Sequence, residues 1–188
     1  APRLAFALAP HAPDTVGDPT WAKSVMYARQ LDLSIATHVA ETADEVASQR
    51  AATGETPLAR LDRLGATGPG FVAIHAVHVD AADIAALSAQ GCHVVHCPTS
   101  NLKLASGIAP VPALLAAGVN VALGTDGAAS NNRLDVFAEM RLVTEGEARD
   151  GYDWLRRRGM EFRLGSDGAT ELTEGQVALM KRDNIADP

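Results

Sequence analysis

Five short apolar runs, each stopping abruptly at polar residues, constrain this chain more than any other feature. They are Leu4–Ala9, Leu33–Val39, Phe71–Val79, Cys92–His96 and Val119–Gly124. Runs of this length, rich in Val, Ile, Leu and Ala, suit parallel strands buried on both faces. Helical patterns lie between them. Pro19–Leu31 places Trp21, Val25, Ala28 and Leu31 at helical spacing, and Asp44–Thr53 and Pro57–Leu64 are further segments. Asp80–Gln90 opens on a capping Asp and stops at Gly91, and Val111–Ala117 stops at Gly118 in the same way. Strands alternating with helices of about ten residues imply right-handed βαβ units and a parallel sheet.

The polar residues that stop the runs matter for where they fall. His11, His38 with Glu41, His75 with His78, His96 and Asp126 each follow the C-terminal end of an expected strand. In a parallel sheet those ends lie on one side, which is the layout of a (β/α)8-barrel active site. An open doubly wound sheet is the rival, and it favours a Gly-rich phosphate turn. Neither GxGxxG nor Walker A occurs in the chain.

Charge divides the sequence. Residues 1–144 carry 13 acidic and 9 basic side chains, whereas the 44 residues from 145 to 188 carry 10 and 7. All six histidines precede the break. We expect two parts: a barrel segment over 1–144, and a charged α+β extension over 145–188 without recognised function. In the extension, Met160–Leu164 reads as a strand and Gly165–Gly168 as a turn holding Asp167. Thr173 and Gln176 have capping-box spacing before a helix at Val177–Lys181.

Composition narrows the function classes. A net charge of -7 argues against nucleic acid as partner. No apolar run approaches the roughly 18 residues that span a bilayer, so no membrane is expected. Cys92 and Cys97 are two buried thiols rather than a disulfide framework or a CxxC metal site, and the reduced cytosol is the expected compartment. The chain begins Ala-Pro-Arg-Leu without an initiator Met, which reads as a processed or partial piece.

Each candidate group has a bland reading beside the chemical one. In His38-Val-Ala-Glu41, imidazole suits a borderline divalent metal and the carboxylate suits proton transfer. The alternative is a backbone-bonded strand-end His and a capping Glu. Asp126, flanked by Gly124 and Gly127, is a metal ligand and proton acceptor or an Asx-turn residue. His75 is favoured over His78 for chemistry. His96 and Asn101 contact substrate or order the loop after their strand, His11 sits at a rigid exit between Pro10 and Pro13, and His93 is structural. A bland sheet has little reason to end nearly every strand in His or Asp.

Five stretches resemble one family. They are Leu-Ala-Pro-His-Ala-Pro at 8–13, His-Val-Ala-Glu-Thr at 38–42, Ala-Ile-His at 73–75, His-Cys-Pro-Thr-Ser-Asn-Leu-Lys-Leu-Ala-Ser-Gly at 96–107 and Leu-Gly-Thr-Asp-Gly-Ala-Ala-Ser-Asn-Asn at 123–132. Together they look like the amidohydrolase superfamily over residues 3–143. The nearest branch is the 5′-methylthioadenosine/S-adenosylhomocysteine deaminases, with chlorotriazine hydrolases and guanine-type deaminases close by. The resemblance implies a partial TIM-type (β/α)8 barrel, about strands four to eight, with an irregular tail. It implies one divalent metal ion, zinc or alternatively iron, with His38 and Asp126 as ligands and His75 or His78 as a reserve third. Glu41 would move a proton to the substrate ring nitrogen, His75 would orient the water, and Asp126 would accept a proton. His11, Glu41, His96 and Asn101 would contact a small amino-purine nucleoside.

The family's first strand supplies His-x-His, a pair that does not occur in this sequence. A catalytic zinc site wants about three protein ligands, so the isolated chain is expected to be a poor enzyme. The alternatives are a non-catalytic partial barrel, assembling with a second copy as a homo-oligomer, and an aminohydrolase acting on triazine, guanine or pterin.

Overall fold

The computed structural model describes residues 4–143 and the short segments Arg163–Leu164 and Thr170–Glu171. The turn at Gly165–Gly168 and the helix expected at Val177–Lys181 lie outside the described residues. The chain divides into two compact units. The first comprises Ala1–His96 and Ala109–Ala122, the second Cys97–Ile108 and Leu123–Pro188.

In chain order the elements are β1 (Ala7–Leu8), α1 (Asp18–Leu31), β2 (Ser34–Val39), α2 (Ala43–Thr53), α3 (Pro57–Arg63), β3 (Phe71–His75), α4 (Ala81–Ala89), β4 (His93–His96), α5 (Pro98–Lys103), α6 (Val111–Ala116), β5 (Asn120–Leu123), α7 (Val136–Leu142), β6 (Arg163–Leu164) and β7 (Thr170–Glu171). One sheet has the order β1-β2-β3-β4-β5. The pairs β1–β2, β2–β3 and β3–β4 are parallel. The sequence order of the strands is therefore their order in space, as successive βαβ units require. In the second unit β6 and β7 pair antiparallel.

Local chemistry explains the helix ends. Thr42 and Thr56 accept from the amides of Glu45 and Ala59, capping α2 and α3. Asp80 accepts from Ala82 and Asp83 while the Asp83 side chain reaches back, a full capping box on α4. Gly91 (φ 67°) and Gly118 (φ 80°) take the left-handed conformation after their helices, where a Cβ is unfavourable.

The core of the first unit is one cluster. Trp21, Val25 and Ala28 of α1, Leu58 and Leu61 of α3, Leu87 of α4 and Leu114 of α6 pack with Ile35, Val39, Phe71, Ala73 and Val94 from the strands. Burial alternates along β2 and β3, with Ile35, Thr37, Val39, Phe71, Ala73 and His75 buried and their neighbours Ala36, His38, Val72 and Ile74 only half-buried. The apolar members of the buried set join the helices in this one cluster.

Three boundaries differ from expectation. The run Phe71–Val79 leaves the strand at His75, because His75 (φ 73°) and Ala76 (φ 48°) leave extended backbone. Helix α5 stands where the sequence predicts a loop. Pro98 at its first position opens it, and six residues are too few to show a period. Helix α7, capped by Asp135, is not predicted by the sequence pattern. Among the described residues no helix is long and apolar enough to cross a membrane.

Two outcomes follow from this core. Leu61→Ala removes a fully buried side chain, and urea unfolding is expected to show a loss of about 2–5 kcal/mol. Asp83 is buried, and burial pushes its carboxyl above the ordinary value while the Thr56 hydroxyl, at 2.7 Å, pulls it back. The folded chain therefore holds this proton more tightly than the unfolded chain. Its contribution to stability is full below the ordinary aspartate range and is lost as pH rises through the raised folded value. Thermal melts across that range should show a smaller decline with pH for Asp83→Asn than for the parent.

Candidate active site

The first unit gathers four of the expected groups at the C-terminal ends of β1, β2 and β3. The His11 carbonyl accepts three hydrogen bonds: from the His38 amide (3.1 Å), the His38 ring Nδ1 (2.9 Å) and the Thr37 hydroxyl (3.1 Å). A carbonyl only accepts, so Nδ1 carries the proton and Nε2 carries the lone pair in the neutral ring. The His11 and His38 rings lie 5.1 Å apart, and the His38 and His75 rings stack at 5.4 Å with 28° between planes. One ring nitrogen from each of His38 and His75 comes within 4.8 Å of the other. This donor set fits a divalent cation: an imidazole whose other nitrogen donates to a carbonyl is the usual form of a metal ligand.

The segment bearing His11 is itself held. The Arg60 guanidinium, largely buried, donates to the Pro13 carbonyl, to the Val16 carbonyl (3.1 Å), to Gln49 Oε1 (3.1 Å) and to Asp18 (2.5 and 2.9 Å). That uses the planar fork of an arginine fully, which lysine cannot reproduce.

After β2 the chain turns at Ala40 (φ 52°). The Glu45 carboxylate accepts from the amides of Ala40 and Glu41, both at 2.8 Å, while Thr42 accepts from the Glu45 amide. Burial raises the Glu45 pKa, and those two amides oppose the rise. The turn delivers Glu41, whose Oε2 lies 3.4 Å from His75 Nε2. His75 is buried and left-handed, as is Ala76. The ladder continues past the strand ends, with Ala76 donating to the Val39 carbonyl and His78 to the Ala40 carbonyl. Strained non-glycine backbone of this kind persists where the surroundings over-determine it. His96, at the end of β4, is fully buried. His93 bonds the Pro69 carbonyl and the Asn120 side chain, as a structural His does.

The second unit holds Asp126 (φ 58°) and Asn101. Oδ2 of Asp126 accepts from the hydroxyls of Ser100 (2.6 Å) and Ser130 (2.8 Å). Asn101 is fully buried in α5. Lys103 bonds the Ala129 carbonyl and Asn132 Oδ1, tying α5 to the loop after Asp126.

Sequence reasoning missed Glu45, Arg60, Ser100, Ser130 and Glu139. Thr42-x-x-Glu45 has capping-box spacing and was readable. The others depend on contacts between distant segments.

Comparison with known proteins agrees with this architecture. The family model described as "Amidohydrolase family" matches residues 2–176. The chain is 48% identical over 142 residues to the 5-methylthioadenosine/S-adenosylhomocysteine deaminase of Teredinibacter turnerae, covering 76% of this chain and 32% of that protein. It is 48% identical over 184 residues to the protein of the same name from Haloarcula marismortui, covering 98% and 39%. It superposes on the crystal structure of an adenosine deaminase from Xanthomonas campestris with bound zinc at TM-score 0.70 and 52% identity, covering 72% and 31%. The chain thus spans between 31% and 39% of the length of these relatives.

Glu45→Ala leaves two amides of the β2–α2 turn without their acceptor. Urea unfolding should show a loss of about 1–3 kcal/mol. The parallel sheet with its intervening helices is a partial (β/α)8 barrel, and the chain belongs to the amidohydrolase family.

Proposed function

We propose that this chain supplies part of the active site of a metal-dependent aminohydrolase acting on an amino-purine nucleoside of the S-adenosylhomocysteine or 5′-methylthioadenosine type. The observation that carries the reading is His38, held by the His11 carbonyl in the tautomer with Nε2 as donor atom, beside buried His75 and its half-buried partner Glu41. The names of the relatives support the substrate class, and the zinc in the Xanthomonas protein supports zinc, with iron as the alternative.

In this reading His38 and Asp126 are the ligands of one divalent cation. When bound, that cation supplies Lewis acidity and lowers the pKa of water in the site. Asp126 accepts a proton from the attacking water. His75 orients the water and stabilises developing negative charge. Glu41 delivers a proton to the ring nitrogen next to the amino-bearing carbon and recovers one from the new hydroxyl as the carbonyl forms, while the proton held by Asp126 passes to the departing amine. Water adds at that carbon, the carbon–nitrogen bond breaks, and the products are the oxo-purine and ammonia. His11 contacts the substrate, and His96 and Asn101, both fully buried, order the chain after β4.

The same site chemistry serves a triazine, guanine or pterin aminohydrolase, because pocket shape selects the heterocycle. A second reading, a non-catalytic partial barrel that assembles with another copy, is favoured by exposed Leu4 and Phe6 beside the edge strand β1. A cytoplasmic location goes with this reading, and residues 145–188 are read as a charged extension, although the family model continues to residue 176.

Metal analysis of the purified chain tests the ligand assignment. His38→Ala and Asp126→Ala are each expected to lower bound zinc at least about tenfold, since loss of even supporting groups costs that much. Metal content unchanged in either variant would remove that residue from the ligand set. Ammonia release from S-adenosylhomocysteine, assayed with and without added zinc, reports on the activity.

A further inference from the structure

Within the second unit, a buried carboxylate that the mechanism does not use stands behind Asp126. Glu139 of α7 is 1% exposed. Its Oε2 accepts from the Thr99 amide at 3.0 Å, and its Oε1 accepts from Asn131 Nδ2 at 2.6 Å. Thr99 precedes Ser100, and Asn131 follows Ser130. Those two serines are the donors to Oδ2 of Asp126.

We infer that Glu139 is a positioning residue for Asp126, acting through Ser100 and Ser130. A serine hydroxyl rotates freely about its own bond, so it orients a carboxylate only when its backbone is fixed. Ser100 and Ser130 come from separate segments, α5 and the loop after Asp126. Glu139 fastens both with the two oxygens of one side chain.

The local chemistry favours this arrangement over accidental burial. Helix α5 has no side-chain cap at Cys97, and Pro98 lacks an amide hydrogen, so Thr99 carries the first backbone donor of that helix. Glu139 satisfies that donor from outside the helix and meets the positive end of its dipole. On the other side, Asn131 Oδ1 accepts from the amides of Arg133 and Leu134, which sets the plane of its amide and aims Nδ2 at Glu139. Ser130 and Asn131 also donate their amides to the Gly127 carbonyl, closing the turn that starts at left-handed Asp126. A buried ionised carboxylate is costly without such partners.

Only the metal arm of the test rests on the ligand reading above. Glu139→Gln keeps the volume and turns one acceptor into a donor facing Asn131. The double variant Glu139→Gln with Asn131→Asp reverses the polarity of that bond, and its remaining oxygens still serve Thr99, Arg133 and Leu134. Three measurements are made on the full chain: the 13Cγ resonance of Asp126 without metal, cobalt(II) affinity by competition with a chromophoric chelator, and the melting temperature.

Glu139→Gln is expected to move the Asp126 resonance and weaken cobalt binding by about tenfold or more, and the double variant to reverse both. Leu61→Ala, in the other unit, should lower the melting temperature without moving either. An unmoved Asp126 resonance in Glu139→Gln overturns the inference. So does a double variant that recovers the melting temperature but not the resonance, because the role is then merely structural. Undiminished cobalt affinity in Asp126→Ala overturns the ligand reading instead, and the metal-free resonance still judges Glu139.

Discussion

Parallel pairing of β2 with β3 sets the register on which the first unit's chemistry is built. His38 lies opposite Ile74, and Val39 opposite His75. The ladder then runs on through Ala76 to Val39 and His78 to Ala40, beyond the last regular strand residue. Because evenly spaced parallel bonds hold both chains level, the turns after β2 and β3 leave the sheet side by side. His38, Glu41 and His75 meet as a result, although their neighbours in sequence are unrelated.

A second constraint acts on orientation. Imidazole and carboxylate groups serve chemistry only when their rotamer and tautomer are settled beforehand. In the first unit the settling groups are backbone: the His11 carbonyl for His38, and the amides of Ala40 and Glu41 held by Glu45. In the second unit they are side chains, the serine hydroxyls on Asp126 and Glu139 behind them. Ala40, His75, Ala76 and Asp126 are all left-handed without being glycine. Each such position costs on the order of 1–3 kcal/mol, and each sits where a strand hands over to a loop bearing a candidate group. At Ala40, His75 and Ala76 the strain is offset by the packed cluster around Trp21, Phe71 and Leu61.

Much of this was legible in the residues. Each of the five apolar runs contains a strand, and the capping role of Asp80 and the stops at Gly91 and Gly118 are where periodicity and turn chemistry place them. The strand-end positions of His38, His75 and His96 were also readable, since a polar residue after an apolar run marks a strand's exit. The shortness of β3 and helix α5 were not. A local apolar run cannot report a left-handed residue at its end, and six residues opened by a proline carry no helical period.

The sequence by itself determined the alternation of strand and helix, the side of the sheet to which His and carboxylate groups are delivered, and the motifs that mark the amidohydrolase family. These follow from local pattern: hydrophobic period, caps, and the residue types at each strand's exit. Only the tertiary structure decided which groups restrain them. Arg60 on the Pro13–Val16 segment, the His11 carbonyl on His38, and Glu139 behind the two serines each join residues separated in the chain. Their hydrogen bonds depend on ångström-scale placement of separate segments, and no spacing along a single stretch of sequence encodes that.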